Sequence, residues 1–116
     1  MVTNKKERKK ILDVCCGARG MWFNKHDERC LYLDKRSEIH ENDYPSGKKR
    51  IEIIPDEIGD FTDIKQPDNS FHLVVFDPPH IARESPPGEI RKRYGDLRGD
   101  WKTMLKSGFS ECFRVL

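Results

Sequence analysis

Apolar positions along this chain come in short runs, and most of the runs stop at an acid. "KKILDVCCG" passes from solvated lysines into Ile11, Leu12, Val14, Cys15 and Cys16, then breaks at Gly17. A run with so little alternation predicts a strand buried on both faces, as parallel strands are. In "ARGMWFNKH", residues 18–26, the cluster Met21, Trp22 and Phe23 predicts a short helix. "CLYLD", from Cys30 to Asp34, is a second short strand. The polar stretch 36–50, punctuated by Pro45 and Gly47, predicts a connection with one helical turn over 37–41. A third extended region occupies "IEIIPDEIGDF", interrupted by Pro55, which does not suit a central strand, and it too finishes in an acid, Asp60.

"QPDNS", residues 66–70, reads as a turn, because Pro67 fixes φ while Asp68, Asn69 and Ser70 bond locally to the backbone. The fourth strand, "FHLVVF" at 71–76, follows directly and runs into "DPPH". Residues 82–99 carry Pro86, Pro87 and three glycines, which predicts a long irregular loop. From Asp100, a good helix N-cap, apolar residues fall at Trp101, Met104, Leu105, Gly108, Phe109, Cys112, Phe113 and Leu116. That spacing predicts an amphipathic helix lying on a sheet. Short strands alternating with helical pieces predict an α/β fold with a doubly wound, mainly parallel sheet, and residues 1–116 have room for one domain with one core. Ligands of such sheets bind beyond the carboxyl ends of the strands, where Asp34, Asp60 and Asp77 stand, with Asp13 inside the first strand.

Composition narrows this little. Charged residues make up 36% of the chain, but 22 basic against 20 acidic residues leave a net charge of +2, which argues neither for nor against a nucleic-acid partner. Residues 83–106 carry seven Lys or Arg against four Asp or Glu, a mild local excess. No apolar run approaches a membrane span and no apolar signal region follows the basic start, so a cytoplasmic protein with reduced cysteines is expected. His26 and Cys30 share a helical spacing but lack the further ligands of a zinc site, so no metal is expected.

A strand followed by a glycine turn suits a ligand that approaches the backbone closely, and Asp34 lies 21 residues after Asp13, where a second-strand acid accepts hydrogen bonds from ribose hydroxyls. "CCGARG" is neither GxGxxG nor a Walker sequence, which disfavours a dinucleotide enzyme or a nucleotide triphosphatase. Together "ILDVCCG", "LYLD", "GDF" and "VVFDPPH" resemble the class I S-adenosylmethionine-dependent methyltransferases, over residues 11–116. "FSECFRVL" at 109–116 is similar to the helix that precedes the fifth strand of that family. "DPP" after an apolar strand is the most specific element, similar to the (D/N/S)PP(Y/F/W) motif of amino-group methyltransferases.

The resemblance implies a Rossmann-like sheet of about four strands, without the family's C-terminal strands, and S-adenosylmethionine as cofactor. It puts Asp13 and the turn of Cys15, Cys16 and Gly17 beside the methionine part, Asp34 at the ribose, and Asp60 with Phe61 at the adenine. Asp77, Pro78, Pro79 and His80 would be the catalytic set, with His80 where the family usually has an aromatic residue to stack on a flipped base. The implied target is an exocyclic amine, adenine N6 or cytosine N4 in DNA or RNA, with an amide nitrogen also within the family's range.

An amine conjugated to a ring is a poor nucleophile, and fixed acceptors at Asp77 and the Pro78 carbonyl would favour the pyramidal nitrogen that attacks. Prolines lack donors and restrict φ, so the carbonyl is held before substrate arrives. In the expected substrate loop at 82–99, Arg91, Lys92 and Arg93 would meet phosphates and Tyr94 would stack on a base. Without a fifth strand, 71–76 becomes an apolar edge, where a second copy or a completing chain is expected to pair. The other reading is a non-catalytic fragment that binds cofactor or a partner through that edge.

Overall fold

The computed structural model describes residues 8–45, 47–79 and 99–116. Four strands form a parallel sheet: β1 (Ile11–Asp13), β2 (Cys30–Asp34), β5 (Glu57–Ile58) and β6 (Leu73–Val75), in the order β5-β2-β1-β6. Between β2 and β5 the chain builds an antiparallel hairpin, β3 (Glu38–Tyr44) and β4 (Gly47–Ile53). One helix, α1 (Trp101–Val115), is found among the described residues, and it is not long and apolar enough to cross a membrane. The protein is thus α/β with a mostly parallel sheet.

From β1 the chain steps outward to β2 and β5, then returns to the other side of β1 to lay down β6. The strand order therefore reverses at β1, the topological point beyond whose strand ends open α/β sheets bind their ligands. Register holds the ends level: Ile11 faces both Cys30 and Leu73, and Asp13 faces Tyr32 and Val75.

β2 has the predicted bounds, while β6 is narrower than 71–76. The helix predicted over 18–26 does not form, and the span from β1 to β2 is a series of turns. Gly17 and Arg19 both take positive φ (52° and 59°), a conformation that stops a helix after single residues. The turns close through Arg19 N–H to Cys16 O at 2.8 Å and Trp22 N–H to Arg19 O at 3.1 Å. Because Met21, Trp22 and Phe23 are consecutive, they cannot share one face, and only Trp22 turns inward.

The predicted polar connection with a helical turn at 37–41 is instead the hairpin. Its β4 half alternates, with Ile51 and Ile53 buried and Glu52 outside, and that period of two makes a strand. Charges pair across it: Arg50 bonds Glu41, its direct cross-strand partner, and also Glu52 at 2.7 Å. Gly47 takes φ 115° in the connecting turn. Past Pro55 only two residues, Glu57 and Ile58, remain to pair with β2, so the third parallel strand is shorter than the extended region the sequence suggested.

The core under α1 contains Leu12, Val14, Leu33, Phe61, Ile64, Phe71, Cys112 and Val115. Asp100 caps the helix as expected, accepting from Thr103 N–H at 3.2 Å. The buried seam is narrower than the apolar spacing implied: Gly108, Cys112 and Val115 are buried, whereas Phe109, Phe113 and Leu116 stay exposed. Arg114 locks the far end, spending all five guanidinium donors on Glu111, Asp68 and the carbonyls of Gln66 and Ile64 at 2.7–2.9 Å.

Gly108 is where helix and sheet come closest. A Cβ there would stand 2.5 Å from Phe61 and 2.7 Å from Phe76, whose ring is already stacked on Phe109. Gly108→Val is expected to cost about 2–3 kcal/mol, since overpacking outweighs the gain from removing a mid-helix glycine. Urea unfolding of the two chains measures this, and an unchanged midpoint would contradict the packing described.

Candidate functional site

The turn after β1 carries the site. Cys16 N–H bonds Leu33 O at 2.8 Å and Gly17 N–H bonds Asp34 Oδ2 at 2.8 Å, so the turn is fastened to the end of β2. Asp34 is 5% exposed; its other oxygen accepts Arg36 N–H at 2.9 Å, with the Arg36 guanidinium at 3.4 Å. On the opposite side Val14 N–H bonds Val75 O at 3.1 Å, and the Cys15 thiol donates to Asp77 O at 3.1 Å. One short turn thus joins two segments far apart in sequence, the end of β2 and the "DPP" after β6.

Asp13 lies beneath this turn, only 3% exposed. Its Oδ2 accepts Trp22 Nε1–H at 2.8 Å and its Oδ1 receives a longer contact, 3.4 Å, from Cys15 N–H. Burial pushes the Asp13 carboxyl up to about 6; the Trp22 and Cys15 donors oppose that, and the neighbouring charges of Asp34 and Asp77 add to it. The same burial raises the Cys15 thiol well above its ordinary range, reinforced by Asp13, so it remains a neutral S–H donor. Cys16 is pushed up to about 12, first by burial and then by Asp34 and Asp13. Its side chain belongs to a small core with Cys30 and Tyr32 rather than to an open surface.

Asp60 follows β5 and accepts both the N–H and the hydroxyl of Thr62, at 2.8 and 2.7 Å. Burial opposes its ionisation, yet the two Thr62 bonds and the Lys35 charge hold its carboxyl below the usual range. Phe61 turns into the core, its ring 5.2 Å from Phe76, so it faces the helix side. Asp77, Pro78 and Pro79 are half-buried past the end of β6. His80, Arg91, Lys92, Arg93 and Tyr94, with the loop predicted over 82–99 apart from Gly99, lie outside the described residues.

Two residues escape a reading of motifs. Trp22 closes over Asp13 and meets Tyr32 edge to face at 5.3 Å between ring centroids. The available signal was that a buried indole needs an acceptor for its N–H, and an acid stood nine residues back. Arg19 lies over the Tyr32 ring at 3.8 Å and bonds Lys25 O and Ile54 O at 2.5 and 2.8 Å, which ties the turn to the hairpin. Near it a cavity of about 490 Å³ is lined by Arg19, Lys25, His26, Arg50, Ile54 and Asp56 among others, and none of the strand-end acids Asp13, Asp34 and Asp77 reaches it. Its cations already bond protein oxygens, so the acids at the ends of β1, β2 and β6 hold the better chemistry.

Among the described residues no three potential metal ligands gather in one place. The arrangement offers buried negative charge and fixed acceptors at the reversal of strand order. No protein-family model, curated protein or solved structure matches the chain.

Proposed function

We propose that the protein is an S-adenosylmethionine-dependent methyltransferase of Rossmann-like fold, acting on an exocyclic amino group of a nucleobase, adenine N6 or cytosine N4, in DNA or RNA. The observation that carries this reading is the turn at 15–17, bonded to Asp34 on one side and to Asp77 on the other.

The residues suit the cofactor. A ribose needs a carboxylate with acceptor capacity left, and among the described residues Asp34 Oδ2 takes one hydrogen bond, from Gly17 N–H, of the two an oxygen can accept. A sulfonium cation favours negative surroundings, and Asp13, Asp34 and Asp77 are close enough for the charges of the latter two to raise the Asp13 carboxyl. When bound, S-adenosylmethionine supplies a methyl group made electrophilic by its positive sulfur.

The chain's own part is alignment. Asp77 carboxylate and the Pro78 carbonyl accept hydrogen bonds from the two amine N–H groups, which draws the nitrogen lone pair out of conjugation and aims it at the methyl carbon. The proton that the nitrogen sheds passes to Asp77 or to water. His80 and the basic residues Arg91, Lys92 and Arg93, with Tyr94, complete the proposal as base-stacking and backbone contacts.

Titration calorimetry with S-adenosylmethionine tests this reading. The native chain is expected to bind in the micromolar range, and Asp34→Ala, which loses the ribose acceptor, about 10- to 100-fold more weakly by the worth of hydrogen bonds to a charged group. No heat from the native chain would remove the proposal.

A second reading is favoured by β6 standing at the edge of the sheet with its Leu73 51% exposed. Here the chain binds a second copy or another chain through that edge without catalysis. Self-association in sedimentation, combined with no cofactor binding, would select it.

A further inference from the structure

We propose that Cys15 is a positioning residue whose thiol holds the Asp77 carbonyl, and with it the Asp77–Pro78 peptide plane, in the orientation that presents the acceptors to the amine. This rests on the methyl-transfer reading above and adds to it the device that fixes the acceptors.

The argument begins with the prolines. A peptide group ahead of proline has no N–H, so its carbonyl is its only hydrogen-bonding handle. In Asp77-Pro78-Pro79 two successive peptides are of this kind. A sheet ladder cannot hold them, and a strand end made this way needs an outside donor to settle its carbonyls. The Cys15 thiol, 3.1 Å from Asp77 O, is that donor for the first peptide. With that plane held, the fixed φ of Pro78 and the narrow ψ range that the following Pro79 imposes on it leave the next carbonyl, that of Pro78, little freedom.

The donor is well anchored. Cys15 follows β1 directly; Val14 N–H bonds Val75 O at 3.1 Å on one side, and Cys16 N–H bonds Leu33 O at 2.8 Å on the other. Burial and the Asp13 charge keep the thiol protonated, so it donates across the working pH range. A glycine at 15 would leave the Asp77 carbonyl without this partner, which gives a reason for a cysteine in a turn of this type.

Two variants test the proposal. Cys15→Ala removes the donor, and Cys15→Ser restores one on a shorter arm. In methyl transfer to nucleic acid, kcat of Cys15→Ala is expected to fall about fivefold, the worth of one weak S–H···O bond with some loss of alignment. KM for cofactor should change less than about twofold, and serine should return part of the rate.

The S–H stretching band in the infrared supplies a readout independent of catalysis. The band lost in Cys15→Ala should lie on the low-frequency, hydrogen-bonded side relative to a free thiol. A lost band at the free-thiol position overturns the tether. An active native chain with unchanged kcat in Cys15→Ala overturns its positioning role. A native chain that takes no cofactor fails the methyl-transfer reading itself, and the band still decides whether Cys15 holds the carbonyl.

Discussion

Replacing Asp77 by alanine is expected to lower the rate of methyl transfer by about 10²- to 10³-fold, the usual cost of deleting one fixed group aimed at charge developing in a transition state. The chain leaves the sheet after Val75 and immediately enters two prolines, so Asp77 is the last side chain before a segment with no backbone donors. Its carbonyl is engaged by Cys15, and its carboxylate lies close enough to Asp13 to raise the carboxyl there. Alanine keeps the backbone tether but removes the acceptor that the amine requires. Affinity for S-adenosylmethionine should then fall far less than the rate, because one of the charges facing the sulfonium is lost while the ribose acceptor Asp34 is untouched. Asparagine is the informative companion: its amide oxygen still accepts one N–H, so Asp77→Asn should keep more of the rate than Asp77→Ala. Single-turnover transfer of labelled methyl groups to DNA and to RNA measures both variants. Incorporation that persists at the native rate in Asp77→Ala would remove Asp77 from the chemistry.

The parts of this site that were legible in the sequence are those that end apolar runs. Asp34 closes "CLYLD", which became β2 residue for residue, because an apolar run bounded by charges has no competing reading at that length. The N-cap at Asp100 was legible for the same local reason. The hairpin was not, since β3 carries a single aliphatic residue, Ile39, and its strand character comes from charges matched across the pair, as in Glu41 with Arg50. Nor could a run of adjacent apolar residues at 21–23 disclose that two positive-φ residues before it would forbid a helix. The same limit holds at the site. Cys15 and Asp77 are 62 residues apart, and nothing in their spacing says that a thiol meets a carbonyl; only the return of β6 to the side of β1 brings them together. Side chains that belong to one apolar run in the sequence therefore gain or lose a role through topology. Cys16 stays in the core while Cys15 reaches the strand end.

Asp13→Asn is expected to make the protein more stable at neutral pH, by up to about 3 kcal/mol, and to leave it unchanged at about pH 3. The ordinary carboxyl value is 3.8, and in the folded chain burial raises Asp13 to about 6. Below 3.8 both folded and unfolded chains hold the proton and the residue has no effect. Between 3.8 and about 6 the folded chain keeps a proton that the unfolded chain has released, so stability falls as pH rises through this window. Above about 6 the loss is complete, and the gap between the two values corresponds to about 3 kcal/mol. Asparagine carries no charge to desolvate and still offers Trp22 Nε1–H an acceptor, so the variant escapes the loss. Carboxyls held low, such as Glu111 against Arg114, act oppositely, contributing stability that is lost on acidification. They act alike in both chains and cancel in the difference. Urea unfolding of native and variant from about pH 3 to 7.5 should give curves that coincide at the acid end and diverge between about 3.8 and 6; parallel curves would show that Asp13 titrates normally. A charge kept where it weakens the fold at working pH needs a use, and attraction for a cationic cofactor supplies one. The stabilised variant should therefore bind S-adenosylmethionine more weakly than the native chain at pH 7.5, and as weakly as the native chain does once Asp13 is protonated.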